Sequence, residues 1–133
     1  MEKKLKHLEF IQQAINRMAS NLFLLKGWTV TLIAALFALA ASESQDRFFF
    51  LAYIPALMFW GLDGYFLSQE RRFRSLYEHV AKLDESQIDF SMDTEPFKDV
   101  PRNRWLHAML SRTLFIYYVV LAITMLFVMK WLK

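Results

Sequence analysis

Three blocks of apolar residues, each close to the length of a bilayer crossing, decide most of what this chain can become. Residues 21–41 carry one charge, Lys26; residues 48–68 carry one, Asp63; residues 113–129 carry none. About 20 apolar residues in helical form span a hydrocarbon layer of about 30 Å. A helix in a soluble bundle keeps a polar face, whereas these blocks are apolar all round. Composition agrees: 56% of the residues are hydrophobic and 17% aromatic, with three glycines and three prolines among 133. The chain reads as one all-α integral membrane domain with three transmembrane helices, an amphipathic N-terminal helix and a polar extension of the second span.

The same inventory excludes several classes. With no cysteine, a disulfide framework, a thiolate metal site and a cysteine nucleophile are all out of reach. The net charge of +3 sits beside the apolar blocks, where anionic headgroups account for it without nucleic acid. Ala38-Leu-Ala40 fits a signal-peptidase site, but the run before it is long for a signal peptide, and the segment is expected to persist as an anchor.

In residues 2–20, Leu5, Leu8, Ile11, Ile15, Met18 and Leu22 form a single stripe at helical spacing. Such a helix either lies in the headgroup plane or extends the first span and packs on a partner. Span one, 21–41, carries a stripe of small residues, Gly27, Thr31, Ala34, Ala38 and Ala41, which lets another helix approach closely. Ser42-Glu-Ser-Gln-Asp-Arg47 is a polar turn closing an antiparallel hairpin. Span two, 48–68, contains Pro55, which tends to kink a membrane helix. With no break signal after Ser68, the helix is expected to continue to about residue 83, showing an apolar face of Phe73, Leu76, Tyr77 and Val80. Residues 84–100 form an acidic linker, with Asp84, Glu85, Asp89, Asp93, Glu95 and Asp99 against Lys98 alone. Pro101 fits the first turn of a third helix, expected over 101–132 and containing span three.

Orientation follows from the bases. Thirteen lie in the N-terminal segment, at Lys26 or in the 69–112 connection, against Arg47, Lys130 and Lys133 elsewhere. Bases stay cytoplasmic, so a bacterial inner-membrane topology with the N-terminus inside and the C-terminus outside is expected.

Lys26 and Asp63 are the residues whose chemistry stands out, because an ionisable group in a span is a functional-site hypothesis. At 1.5 Å per residue, Lys26 lies roughly 24 Å below Ser42 and Asp63 roughly 22 Å below Phe48. The two therefore share a depth on adjacent helices. Either they form a pair that fixes how the spans dock, or they line a charged constriction or proton site. Arg71, Arg72 and Arg74 read as a basic collar facing lipid or a partner. Thr113, Tyr117 and Thr124 lie loosely on one face of span three, suited to wetting a pore or to bonding between helices. Asp89-x-Ser91-x-Asp93 resembles the opening of a calcium loop but lacks its glycine and has Val100 where a bidentate glutamate belongs. His7, His79 and His107 are isolated, and neither a phosphate loop nor a nucleophile elbow is present. No metal, cofactor or enzyme activity is expected.

His7-Leu-Glu-Phe-Ile-Gln12, Leu25-Lys-Gly-Trp-Thr-Val-Thr31, Asp63-Gly-Tyr-Phe-Leu67 with Gln69-Glu-Arg71, and Phe90-Ser-Met-Asp-Thr94 together give a resemblance over most of the chain. The chain resembles small three-span bacterial inner-membrane proteins, similar in build to membrane effectors of antiphage defence systems. That resemblance implies a membrane-damaging role and supplies no site residues. The expected function is a self-associating protein, an oligomeric pore or membrane-perturbing effector gated from its cytoplasmic helices. The competing expectation is a scaffold subunit that recruits a soluble protein through residues 69–112. A small transporter is disfavoured, since no inverted repeat is visible.

Overall fold

The structure, a computed structural model, describes residues 2–43 and 46–132. It is all-helical, with no strand among the described residues: α1 (Glu2–Glu43), α2 (Asp46–Leu51), α3 (Tyr53–Ala81), α4 (Trp105–Met109) and α5 (Arg112–Leu132). Three short 3₁₀ turns, Glu85–Gln87, Glu95–Phe97 and Pro101–Asn103, punctuate the connection from α3 to α4. The expected hairpin turn falls partly on residues 44 and 45, outside the described residues.

Residues 2–20 and 21–41 form one helix rather than two. α1 runs 42 residues, about 63 Å at 1.5 Å per residue. α1 and α3 pack antiparallel: Ile11 and Ile15 of α1 meet Leu76 and Val80 of α3 at one end, and Ile33 meets Ala52 just before α3 at the other. The stripe on residues 2–20 thus finds a protein partner, although its first member, Leu5, stays 61% exposed and His7 takes the buried place beside it. α5 crosses beside this pair, its Met125 entering the Ile33–Ala52 cluster and Leu114 and Tyr118 buried along the same face.

Two expected helices are interrupted. The 48–68 block is split at Ala52 between α2 and α3. Pro55 explains the break, because it offers no N–H to the Leu51 carbonyl and its ring crowds the carbonyl four residues back. The 101–132 stretch is likewise not one helix. A 3₁₀ turn, an extended Arg104 (ψ 145°) and a second break at Leu110 precede α5. The first break has a visible cause: Asn103 is buried and its side chain bonds elsewhere, to Ser75 Oγ and the Phe97 carbonyl, both at 2.9 Å.

Two helices, α1 and α5, carry stretches long and apolar enough to cross a membrane by length and composition. Within the chain only 11% of the α1 stretch and 17% of the α5 stretch is buried.

Candidate functional site: a buried charge between three helices

Asp63 is fully buried, and the helix places it where α1 and α5 both reach it. On α1, Lys26, Thr29 and Ile33 follow 3- and 4-residue steps and so share the face turned to α3. On α5, Leu114, Tyr118 and Met125 do the same at steps of 4 and 7. Lys26 Nζ stands 3.6 Å from Asp63 Oδ2, and the Tyr118 hydroxyl donates to that same oxygen at 2.5 Å. Asp63 Oδ1 is buried without a hydrogen-bond partner. At such separations the attraction is of order 4 kcal/mol for an effective dielectric near 20, before desolvation is subtracted.

Aromatic side chains complete the enclosure. Lys26 Nζ lies 5.6 Å from the Tyr117 ring centroid, and the Tyr117 hydroxyl donates to the Lys26 carbonyl at 3.0 Å. Trp60 stacks on Tyr118 (5.7 Å, 15°) and sends its indole N–H to the Met109 carbonyl at 2.8 Å. Trp105 returns the bond, donating to the Gly61 carbonyl at 2.9 Å. Gly64 makes this close approach possible, since a Cβ there would fall 2.3 Å from Met109 Cγ. The Trp60–Gly64 string is thus a seat for α4, and Trp60 links that seat to the Tyr118 that binds the carboxylate. Chemically, the arrangement can hold three helices at one depth, and its free oxygen can take up a proton or a small cation.

The structure brings Lys26 and Asp63 together as the depth argument expects. It does not bring the small stripe against the rest of the chain. Gly27, Thr31, Ala34, Ala38 and Ala41 are all exposed, and nothing lies within 4 Å of a Cβ placed on Gly27. Intrachain packing uses the adjacent face, Thr29, Ile33 and Ala40, instead. The hydroxyls of Thr31 and Thr124 bond back to the carbonyls of Gly27 and Val120 in their own helices, at 2.9 and 2.8 Å.

The three arginines expected as a collar are each engaged within the chain. Arg71 donates to the Arg102 carbonyl at 2.8 Å and to His107 Nδ1 at 3.1 Å. Burial, and then the Arg102 guanidinium nearby, pull Arg71 down from its ordinary value, with Glu70 opposing. Arg72 pairs with Glu95 at 3.7 Å, and Arg74 binds Glu70 Oε1 through both Nε and Nη2. For Arg71 and Arg72 the cause is the folded-back connection, which packs along α3 and brings Arg102, His107 and Glu95 to them, whereas Arg74 is held by its own helix.

Tyr118, Thr29 and Asn103 escape a sequence reading. Tyr118 had a signal, being the only polar member of an otherwise apolar helical face. Asn103 had none, because its role depends on where the linker returns. No group of three or more His, Asp or Glu side chains suited to a metal occurs among the described residues. Comparison of the chain with family models, with curated proteins and with solved structures finds no match.

Proposed function

We propose that the chain is a three-span protein of the bacterial inner membrane whose copies associate and act as an oligomeric pore or membrane-perturbing effector, switched from its polar head. One observation carries the reading. α1 and α3 each run without interruption from the apolar end into the polar head, where they pack on each other. A displacement of the head therefore reaches the buried Lys26–Asp63 pair through rigid helix, with no hinge in between. The outward small stripe of α1 supplies a face on which a second copy can pack closely in lipid. In this reading α2 and the start of α3 make the middle crossing, bases keep the N-terminus in the cytoplasm, and the C-terminus lies outside. The resemblance noted above directs the effector towards antiphage defence.

Cysteines placed at Ala34 and Ala38 of this cysteine-free chain test the association. Disulfide-linked dimers should form in native membranes and disappear when Gly27 and Thr31 are replaced by leucine. Expression with a potential-sensitive dye should show depolarisation. A monomer in nanodiscs, with no crosslinking, would sink the pore.

A scaffold role is the second reading, and the exposed apolar residues of the α4 region favour it: Trp105 at 50%, Leu106 at 65% and Leu110 at 63%. These residues would dock a soluble protein within 69–112. Unchanged membrane potential at confirmed expression, together with loss of a partner on Leu106→Asp, would decide for it.

A further inference from the structure

Away from the membrane-level charges, a cleft of about 260 Å³ opens between the first turns of α1, the end of α3 and the acidic connection. That volume equals roughly nine waters at ~30 Å³ each and sits just below the usual range for small-molecule sites. Its two sides differ in chemistry. Leu76, Val80 and Phe97 make an apolar wall, and His7, Asp89 and Asp93 stand among the polar lining residues.

Those polar groups leave a specific demand unmet. His7 is 1% exposed. Its Nε2 lies 2.8 Å from the Ser91 carbonyl, which can only accept, so Nε2 carries a proton, and in the neutral ring Nδ1 is an acceptor. That Nδ1 is buried and has no hydrogen-bond partner. Buried acceptors are nearly always satisfied, and an orphan calls for an explanation such as a missing ligand. Asp89 and Asp93 each accept one backbone N–H through Oδ1, from Ser91 and Glu95 at 3.0 Å. Neither forms an ion pair among the described residues, although Glu95 nearby holds both Arg72 and Lys98. The cleft thus combines two carboxylates without an ion pair among the described residues, the imidazole of His79, a His7 nitrogen with no partner, and an apolar wall. A metal ion suits it poorly, since no metal-ligating group of three is present among the described residues.

We propose that this cleft binds a small organic ammonium compound, a primary amine on a compact apolar or aromatic body. The ammonium, which has three N–H donors and no acceptor, sits towards Asp89 and Asp93 and reaches His7 Nδ1, while the body lies on Leu76, Val80 and Phe97. The site is independent of whether copies of the chain associate.

The test uses the full chain in detergent with 2-phenylethylamine and 3-methylbutylamine as probes and 2-phenylethanol as the uncharged isostere of the first. Calorimetric titration should give saturable binding of at least one amine, at least tenfold tighter than the alcohol. The ¹⁵N resonance of His7 Nδ1 should move on titration with that amine. In Asp89→Asn/Asp93→Asn, asparagine keeps the Oδ1 acceptor for the turn bonds and removes only the charge, so affinity should fall tenfold or more at unchanged helicity. Equal binding of amine and alcohol overturns the proposal, as does failure of both amines to bind at millimolar concentration. Amine binding that survives the double substitution, or leaves Nδ1 unmoved, overturns it too.

Discussion

The two ends of this molecule are held by different means. At the polar end, a small apolar core of Ile11, Ile15, Leu76 and Val80 is wrapped by a connection tied down through directional bonds. Glu85 accepts the backbone N–H groups of Lys3 and Lys4 at 2.8 and 3.2 Å, capping the start of α1 from a distant part of the chain. Asn103 and Ser68 pin the return towards α4, Ser68 donating to the Asn103 carbonyl. At the apolar end, Ile33, Ala52 and Met125 are the buried centre, and most of the surrounding helix surface is bare. The polar end closes upon itself, whereas the apolar end leaves most of its helix surface uncovered within the chain. The Lys26–Asp63–Tyr118 cluster lies between the two regimes and is the place where they are fastened together.

If that cluster is the fastening, its removal should have the largest effect. Asp63→Ala leaves Lys26 and the Tyr118 hydroxyl without their acceptor, and breaking a buried pair costs about 3–5 kcal/mol. The variant should lose its thermal transition in detergent, or show one lowered well beyond that of any other substitution here. Charge exchange sharpens the point. Lys26→Asp alone should destabilise, and adding Asp63→Lys should recover much of the loss; a double variant no better than the single one would mean the charges do not act as a pair.

Within the polar end, Ile11→Ala opens a cavity at a fully buried position, at a cost of about 2–4 kcal/mol. Chemical denaturation should register it in the head, with Asp63 chemistry unaffected. Asn103→Ala removes the donor serving Ser75 and Phe97, costing about 1–3 kcal/mol, and proteolysis of the 84–104 connection should quicken. Glu85→Ala is expected to be the mildest, loosening only the first turn of α1. Amide exchange at Lys3 and Lys4 should rise while the rest of α1 stays protected. A uniform rise along α1 would show that the two ends are less separable than described.

Sequence made the apolar end legible because its rules are one-dimensional. Length and hydropathy mark α1 and α5, and the rise per residue puts Lys26 and Asp63 at one depth without knowledge of any contact. The continuation of α3 past Ser68 was legible for the same reason, since no breaker intervenes before Ala81. The interruptions were harder. Pro55 announces a disturbance, but the split at Ala52 depends on which carbonyl loses its donor. The connection from 84 to 111 was illegible in detail because its bonds join residues far apart in sequence. His7 to Ser91, Lys3 to Glu85 and Arg71 to Arg102 obey no periodicity. The arginines illustrate the cost: Glu70–Arg74 is a pair at helical spacing, but the partners of Arg71 and Arg72 come only from the returning linker.

α1 has a mechanical consequence that its length and its packing imply together. It meets α3 at Ile11 and Ile15, again at Lys26, and its Ile33 packs by Ala52, so the two helices form one stiff beam rather than a rod on a pivot. From Lys26 the beam reaches about 24 residues of α1 one way and about 17 the other, roughly 36 Å and 26 Å at 1.5 Å per residue. A tilt of the whole beam by about 5° about that level would swing the head end by roughly 3 Å and the far end by roughly 2 Å in the opposite sense. Whatever grips the first turns of α1 thereby moves the far end of the helix pair without passing through any flexible joint.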